Sequence, residues 1–373
     1  MKVFNGIRYA VAKRLQMPVM EPDIESIEKV ECKEIICPQS PSKLEHITGP
    51  ILSGQEQGED CLRLAIHTPS LDGKRPVLVF IHGGAFVAGS GLLPIYDASD
   101  LAETLDAVVV NISYRLGAFG FLCMIDKGVI NLGIEDQKCA LRWIQRNIAK
   151  FGGDPEDITV TGQSGGAYCI GYIATTTQEP LFKRANLMSA PFGSVISYAK
   201  GEEMTQKYLS ILGKDIHKAT IQEILDAQNE LIRQSPKRPP FGPVGDNDLR
   251  SKCVMPSLKR VFLSCSIDDA LPLTTKALPI LAPLFSYLIF KRPAQKFGQR
   301  LAKQDINATF MTFNWRHKEG PYGTAHCIGL PLLFSSWEKA KDVPMLLGTT
   351  EREFNEHSHR ARSLMKRFMN DQL

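Results

Sequence analysis

The apolar and polar positions of the chain alternate between short buried runs and longer amphipathic stretches. Val77-Leu78-Val79-Phe80-Ile81, Ala107-Val108-Val109-Val110-Asn111-Ile112-Ser113 and Asp157-Ile158-Thr159-Val160-Thr161 are continuous, β-branched runs. Strands without polar alternation are covered on both faces, and the polar segments between them leave room for crossover helices. The pattern therefore predicts an α/β fold around a mostly parallel sheet with helices on both faces. Ile134–Lys150 is the clearest helix, with Leu141, Ile144 and Ile148 on one face. Glu135 and Asp136 in its first turn and Arg146 and Lys150 in its last suit the helix dipole, and Gly152-Gly153 stops it. Ala185–Ser189, Arg260–Ser264 and Thr309–Trp315 predict further strands. Helical periodicity covers 202–232, a Pro/Gly/Asp-rich loop 233–248, and a basic helix begins at Arg352. Residues 1–60 read as mixed short strands and loops. No internal repeat or low-complexity segment breaks the chain.

Two predicted strands end in turns that carry chemistry. The run at 157–161 breaks into Gly162-Gln163-Ser164-Gly165-Gly166, which fits G-x-S-x-G. This is the strand-turn-helix elbow that lifts a serine hydroxyl above a sheet edge, and the close approach of strand and helix leaves almost no room for side chains at the flanking glycines. The run at 77–81 ends in His82-Gly83-Gly84-Ala85-Phe86, a loop type that aims backbone N–H groups at an oxyanion. Either turn alone also occurs as an ordinary glycine-rich connection. The two together, in this order and each closing a buried strand, point to nucleophilic serine chemistry. A serine needs a neighbouring imidazole to take its proton, and eight histidines are available.

With these turns and further segments, the chain resembles the type-B carboxylesterases, the group that includes cholinesterases and para-nitrobenzyl esterases. The matching pieces are Phe4-Asn5-Gly6-Ile7-Arg8-Tyr9-Ala10, Glu59-Asp60-Cys61-Leu62-Arg63-Leu64, Ser113-Tyr114-Arg115-Leu116-Gly117 with Gly120-Phe121-Leu122, Asn131-Leu132-Gly133 with Asp136-Gln137, and Phe151-Gly152-Gly153-Asp154-Pro155. The resemblance implies one α/β-hydrolase domain over 1–373, with a shortened helical insertion or lid region at about 200–300. It implies Ser164 as nucleophile and His326, in Gly320-Pro321-Tyr322-Gly323-Thr324-Ala325-His326, as base. It implies an oxyanion hole of backbone N–H groups from Gly84, Ala85 and Gly165, and assigns His82 a structural place in that loop. The acid is expected in Cys265-Ser266-Ile267-Asp268-Asp269-Ala270, with Asp269 in the family's Glu place and Asp268 as the alternative. Glu353, in Gly348-Thr349-Thr350-Glu351-Arg352-Glu353, imitates the acid segment but follows the base in chain order, whereas this fold places the acid before it. Arg14 and Glu59 match a buried salt bridge of the family, Ser189 a serine that helps hold acid and base, and Phe241-Gly242-Pro243-Val244 a further family segment. Cys37 and Cys61 match a disulfide frequent in secreted relatives. Two departures stand out: Gln163 replaces the usual Glu beside the nucleophile, and Gly165 replaces a frequent Ala.

The implied activity is that of a cofactor-free serine carboxylesterase acting on small to medium uncharged esters. The alternatives are a non-catalytic, adhesion-type relative, or amide, carbamate or lactone cleavage on the same site. Charge adds little to this picture. Forty-four basic against 40 acidic residues gives +4, and no basic stripe carries interleaved aromatics, so no nucleic-acid partner is expected; the expected partner is a small-molecule ester. Met1–Gly6 has no apolar signal-peptide region, and the short N-terminal strands of relatives look missing or abbreviated. Ala277–Phe290, broken by Pro279 and Pro283, is too short for a membrane span and suits a buried amphipathic segment, with a pocket wall or lid helix as the alternative. Nine cysteines without a secretion signal suggest reduced thiols in a cytoplasmic setting, with Cys37 and Cys61 then unbonded. No ligand spacing implies a metal, and His357-Ser358-His359 reads as a solvated helix face. Nothing in the sequence specifies an oligomeric state.

Overall fold

The apolar runs form the centre of one eight-stranded sheet. In the computed structural model the described residues are 1–42, 44–235, 239–245, 254–271, 281–315, 324 and 326–373. The strands are β1 (Lys2–Arg8), β2 (Ala10–Val11), β3 (Val19–Met20), β4 (Arg63–Thr68), β5 (Arg75–Ile81), β6 (Val108–Ile112), β7 (Gly153–Gln163), β8 (Arg184–Met188), β9 (Arg260–Ser266) and β10 (Asn307–Phe313). The sheet order is β1-β4-β6-β5-β7-β8-β9-β10, and β2 and β3 pair apart from it. From β6 to β10 every neighbouring pair is parallel, whereas β4 runs antiparallel to both β1 and β6. In the middle of the sheet Val79 sits between Val110 and Val160, all three fully buried.

The main differences from expectation lie at element ends. β7 begins at Gly153, four residues before the apolar run, because Gly153 already pairs with Arg75. β9 runs on to Ser266 and so carries the chain to the edge of the acid loop. The supporting helix spans Leu132–Asn147 and tightens into a 3-10 turn, Ile148–Phe151, which Gly152 ends at φ 77°. The helical region after β8 is two helices, Tyr198–Leu212 and Ile221–Gln234, separated at Gly213. Arg233 therefore belongs to a helix and not to the loop expected from there; residues 236–238 and 246–248 of that loop lie outside the described residues. The C-terminal helix, Glu351–Met369, packs over β8–β10 with Phe354, Met365 and Phe368 buried.

Asp136 does more than complement a dipole. Its carboxylate accepts Arg115 Nη2–H at 2.7 Å, Arg115 Nε–H at 2.8 Å and the Arg115 backbone N–H at 3.0 Å, with both residues almost wholly buried. Burial weakens the charged form of Arg115, but the carboxylate beside it holds the guanidinium firmly protonated. Removing one partner strands the other charge in an apolar interior. Asp136→Ala is therefore expected to destabilise the fold by about 3–5 kcal/mol in urea unfolding, and a loss under about 1 kcal/mol would contradict this account.

Arg14 and Glu59 also meet, with Arg14 Nη2 2.5 Å and Nε 3.0 Å from the two carboxylate oxygens. Arg14 Nη1 further ties this pair to the helical region by donating to the carbonyls of Ile216 and Ala219. Cys37 and Cys61 are buried free thiols; Cys253 lies outside the described residues.

Candidate active site

The elbow forms where β7 meets the helix Gly165–Thr176. Ser164 occupies the turn at φ 54° and ψ −121°, a left-handed strain of roughly 1–3 kcal/mol for a residue with a side chain. The strain is held by neighbours: Ser164 N–H donates to Met188 O at 2.8 Å, and Ser164 O accepts from Tyr168 N–H at 3.0 Å. A methyl group on Gly166 would stand 2.1 Å from Ile81 O, and one on Gly162 would stand 2.7 Å from the Ile170 side chain. Strand and helix thus approach too closely for anything but glycine, and Ser164 is left partly open to solvent.

Beside it, the loop after β5 runs through three successive left-handed residues, Gly84, Ala85 and Phe86, at φ 105°, 53° and 65°. Val87 and Ala88 N–H groups both donate back to Gly84 O, which fixes the tight coil. A side chain at Gly84 would meet Ala88 O at 1.9 Å. The N–H groups of Gly84, Ala85 and Gly165 have no acceptor among the described residues. Gly84 is half-buried and Ala85 exposed, and a methyl on the preceding Gly83 would stand 3.2 Å from Ser164 Cβ, so the loop runs beside the elbow. A methyl on Gly165 would come 3.2 Å from the Phe86 ring, a tight contact that explains why glycine suits this loop conformation. His82 is fully buried, stacks on Tyr114 with ring centroids 4.5 Å apart, and donates from Nδ1 to Gly83 O at 2.8 Å. Burial drives its pKa down to about 4, which keeps it neutral and structural.

His326 lies across from the elbow; Gly320–Gly323 and Ala325 of its loop are outside the described residues. His326 Nδ1 is 2.9 Å from Asp269 Oδ1, and the two residues are 2 % and 0 % exposed. Asp269 Oδ2 accepts Ser189 Oγ–H at 2.9 Å and Ser266 N–H at 2.8 Å. Three bonds therefore fix the carboxylate. Asp268, the neighbour, instead accepts Thr324 N–H at 3.1 Å. Glu353 is the N3 residue of a capping box with Thr350 at the start of the C-terminal helix.

Three contacts at this centre carry no signal in the sequence. Gln163 Nε2 stands 3.0 Å from His326 Nε2. With Nδ1–H given to Asp269, Nε2 is the acceptor and the Gln163 amide donates. Among the described residues no hydrogen bond joins His326 to Ser164 Oγ. The Phe290 ring lies tilted at 43° against the imidazole, with centroids 5.1 Å apart. Ser286 Oγ accepts Ala270 N–H at 2.9 Å, which braces the acid loop. Both residues come from the apolar run that ends at 290. Residues 277–280 of that run are outside the described residues, and the rest forms a short helix, Ala282–Phe285, and a π-turn, Ser286–Lys291. His357 is half-buried against Trp315 at 4.5 Å, so only His359 of the histidine pair faces solvent. Among the described residues no group of three His, Cys, Asp or Glu side chains could hold a metal ion, and no helix is long and apolar enough to cross a membrane.

Comparison with known proteins agrees with this architecture. The Carboxylesterase family matches residues 1–259. Over 98% of its length the chain is 32% identical to the "Probable N-octanoylanthranilate hydrolase" of Rhodococcus erythropolis, of which it covers 88%. It is 30% identical to the para-nitrobenzyl esterase of Bacillus subtilis, covering 81% of this chain and 72% of that protein. The solved structure of a thermophilic PNB esterase superposes with a TM-score of 0.86 at 24% identity, covering 99% of this chain and 87% of that one.

Proposed function

The chain belongs to the carboxylesterase family and is a carboxylic ester hydrolase, and from that premise we propose that Ser164, His326 and Asp269 carry its reaction. The buried 2.9 Å bond between Asp269 and His326, above an elbow serine, supports this reading most directly. The ester carbonyl enters between Ser164 and the N–H groups of Gly84, Ala85 and Gly165. His326 Nε2 turns from the Gln163 amide to Ser164 and takes the hydroxyl proton as Oγ bonds to the carbonyl carbon. The resulting oxyanion meets donors already aimed at it, each worth on the order of 3 kcal/mol of barrier. Collapse of this intermediate breaks the ester C–O bond, and His326 returns its proton to the departing alkoxide. Water then attacks the acyl-enzyme, His326 again takes a proton, and the acid and free Ser164 are released. Asp269 keeps Nδ1 protonated throughout and stabilises the imidazolium.

The preferred substrates are small to medium uncharged acyl esters. Gln163, a neutral amide at the nucleophile, supplies no counter-charge for a cationic alcohol, and the Phe290 wall is apolar. The expected result is faster turnover of an uncharged ester than of its choline isostere, and a choline preference would contradict the reading. Gln163→Glu should shift the ratio of kcat/KM values by roughly tenfold toward the choline ester, because it adds one negative charge beside the nucleophile. A second reading, amide cleavage, is favoured by the N-acyl amide named for the Rhodococcus relative. A panel of p-nitrophenyl esters of increasing acyl length, with matched p-nitroanilides, separates the two.

A further inference from the structure

Phe290 and Ser286, which touch His326 and the acid loop, belong to one longer helical element. Ala282–Phe285, the π-turn Ser286–Lys291 and the helix Arg292–Ala302 follow one another with helical backbone angles at both joins. Together they run for about 30 Å. The inner face is buried, with Phe290, Ala294, Phe297 and Leu301 each nearly inaccessible. A methyl on Gly298 would stand 2.7 Å from the Leu263 side chain of β9. The outer face is open. Leu284, Tyr287 and Leu288 are 51 %, 44 % and 44 % exposed, and Arg292, Lys296 and Lys303 are exposed further along. A step of four residues overshoots a 3.6-residue turn, and the wider π-turn takes up the overshoot. Residues 284, 288, 292 and 296 therefore stay near one line.

This element also carries the excess charge of the chain. Residues 281–304 include Lys291, Arg292, Lys296, Arg300 and Lys303 and no acidic residue. Taking these five from 44 leaves 39 basic against 40 acidic residues elsewhere, so the rest of the chain is net −1. Exposed cations on other helices meet carboxylates about one turn away, as Lys200 and Lys207 meet Glu203 and Arg360 meets Glu356. Lys291, Arg292, Lys296 and Lys303 form no ion pair among the described residues.

We propose that this outer face docks on an anionic phospholipid bilayer, with the helix lying in the plane of the surface. Leu284, Tyr287 and Leu288 enter the acyl boundary, and Arg292, Lys296 and Lys303 meet lipid phosphates. Charge and shape together select this occupant. A polyanion such as nucleic acid satisfies the basic half but leaves the apolar half in water. A second copy of the chain, paired antiparallel, sets each apolar half against the other's cations. A surface that presents anions over an apolar interior meets both halves at once. Docking holds Phe290 and His326 beside the lipid; resting on the esterase reading, the substrates are then uncharged esters dissolved in that surface.

The test is co-sedimentation of the full chain with vesicles at about 0.1 M salt. Vesicles of phosphatidylcholine with about one-third phosphatidylglycerol should bind the protein at least about tenfold more tightly than phosphatidylcholine alone. Arg292→Gln with Lys296→Gln should weaken that binding about 25-fold. Leu284→Ser with Leu288→Ser should weaken it about tenfold. All four side chains are exposed, so circular dichroism and vesicle-free hydrolysis of p-nitrophenyl acetate should stay unchanged in both double variants. Leu288→Trp should gain an emission that brominated phosphatidylcholine in the anionic vesicles quenches. The proposal is overturned by absence of binding to either vesicle, by equal binding to both, or by undiminished binding of the double variants. It is also overturned if the vesicle-free protein is a dimer that Leu284→Ser with Leu288→Ser dissociates, which assigns the face to a second copy. Vesicle binding involves no turnover, so its failure leaves the esterase reading standing, and a chain without esterase activity is still scored for docking.

Discussion

Ser164→Ala is expected to abolish covalent capture of an organophosphonate and nearly all ester turnover. The oxyanion donors and the substrate pocket remain, so a residual rate ~10³–10⁴-fold over water should survive. The substitution is structurally mild. The elbow is held by Ser164 backbone atoms, through Met188 O and Tyr168 N–H, and the Oγ makes no bond to His326 in the resting arrangement. Alanine meets the same left-handed backbone, so folding should be retained and the loss read as chemistry. Intact-mass measurement after phosphonate treatment gives the answer: one adduct on the wild type, none on the variant. Full labelling of the variant at another serine would overturn the nucleophile assignment, and an unlabelled wild type would favour the non-catalytic alternative.

The centre of the fold is legible in the sequence because burial on both faces leaves continuous apolar runs. β5 and β6 are such runs, and their strand assignments follow from composition alone. β4 is just as buried, but Arg63 and His67 interrupt its pattern. Beside its local bond to Asp60, Arg63 finds Gly6 O and His67 finds Ser99, both far along the chain, so only the folded molecule makes these side chains acceptable inside. The same reasoning limits what could be read of the site. The elbow and the His82–Phe86 loop are local turns whose glycines follow from steric demand within a few residues. The partner of His326 is not local. Asp268 and Asp269 are chemically alike, and only the path of the chain past Ser266 sends one to the imidazole and the other to Thr324 N–H. Gln163 reads in sequence as a missing negative charge; its contact with His326 joins residues 163 positions apart and leaves no pattern to find.

The acid gives the second large effect, and its geometry makes the expected outcome specific. Asp269 presents Oδ1 to His326 Nδ1, while Oδ2 is pinned by Ser189 and Ser266. Asn at 269 can keep an oxygen toward the Ser266 amide only by turning its NH₂ toward Nδ1. The imidazole then accepts at Nδ1 and carries its proton on Nε2, where it can no longer take one from Ser164. A loss of up to ~10⁴ in kcat follows from that wrong tautomer. Asp268→Asn keeps an oxygen for Thr324 N–H and should turn over near the wild-type rate. Glu353→Gln preserves the reciprocal capping bonds with Thr350 through its amide oxygen, and should cost at most a few tenths of a kcal/mol of helix stability with no loss of rate. The three variants are compared in kcat on one p-nitrophenyl ester, with thermal unfolding alongside to separate chemistry from folding. A crippled Glu353→Gln beside an active Asp269→Asn would remove Asp269 from the reaction and place the acid after the base in the chain, against the order in which this fold presents them.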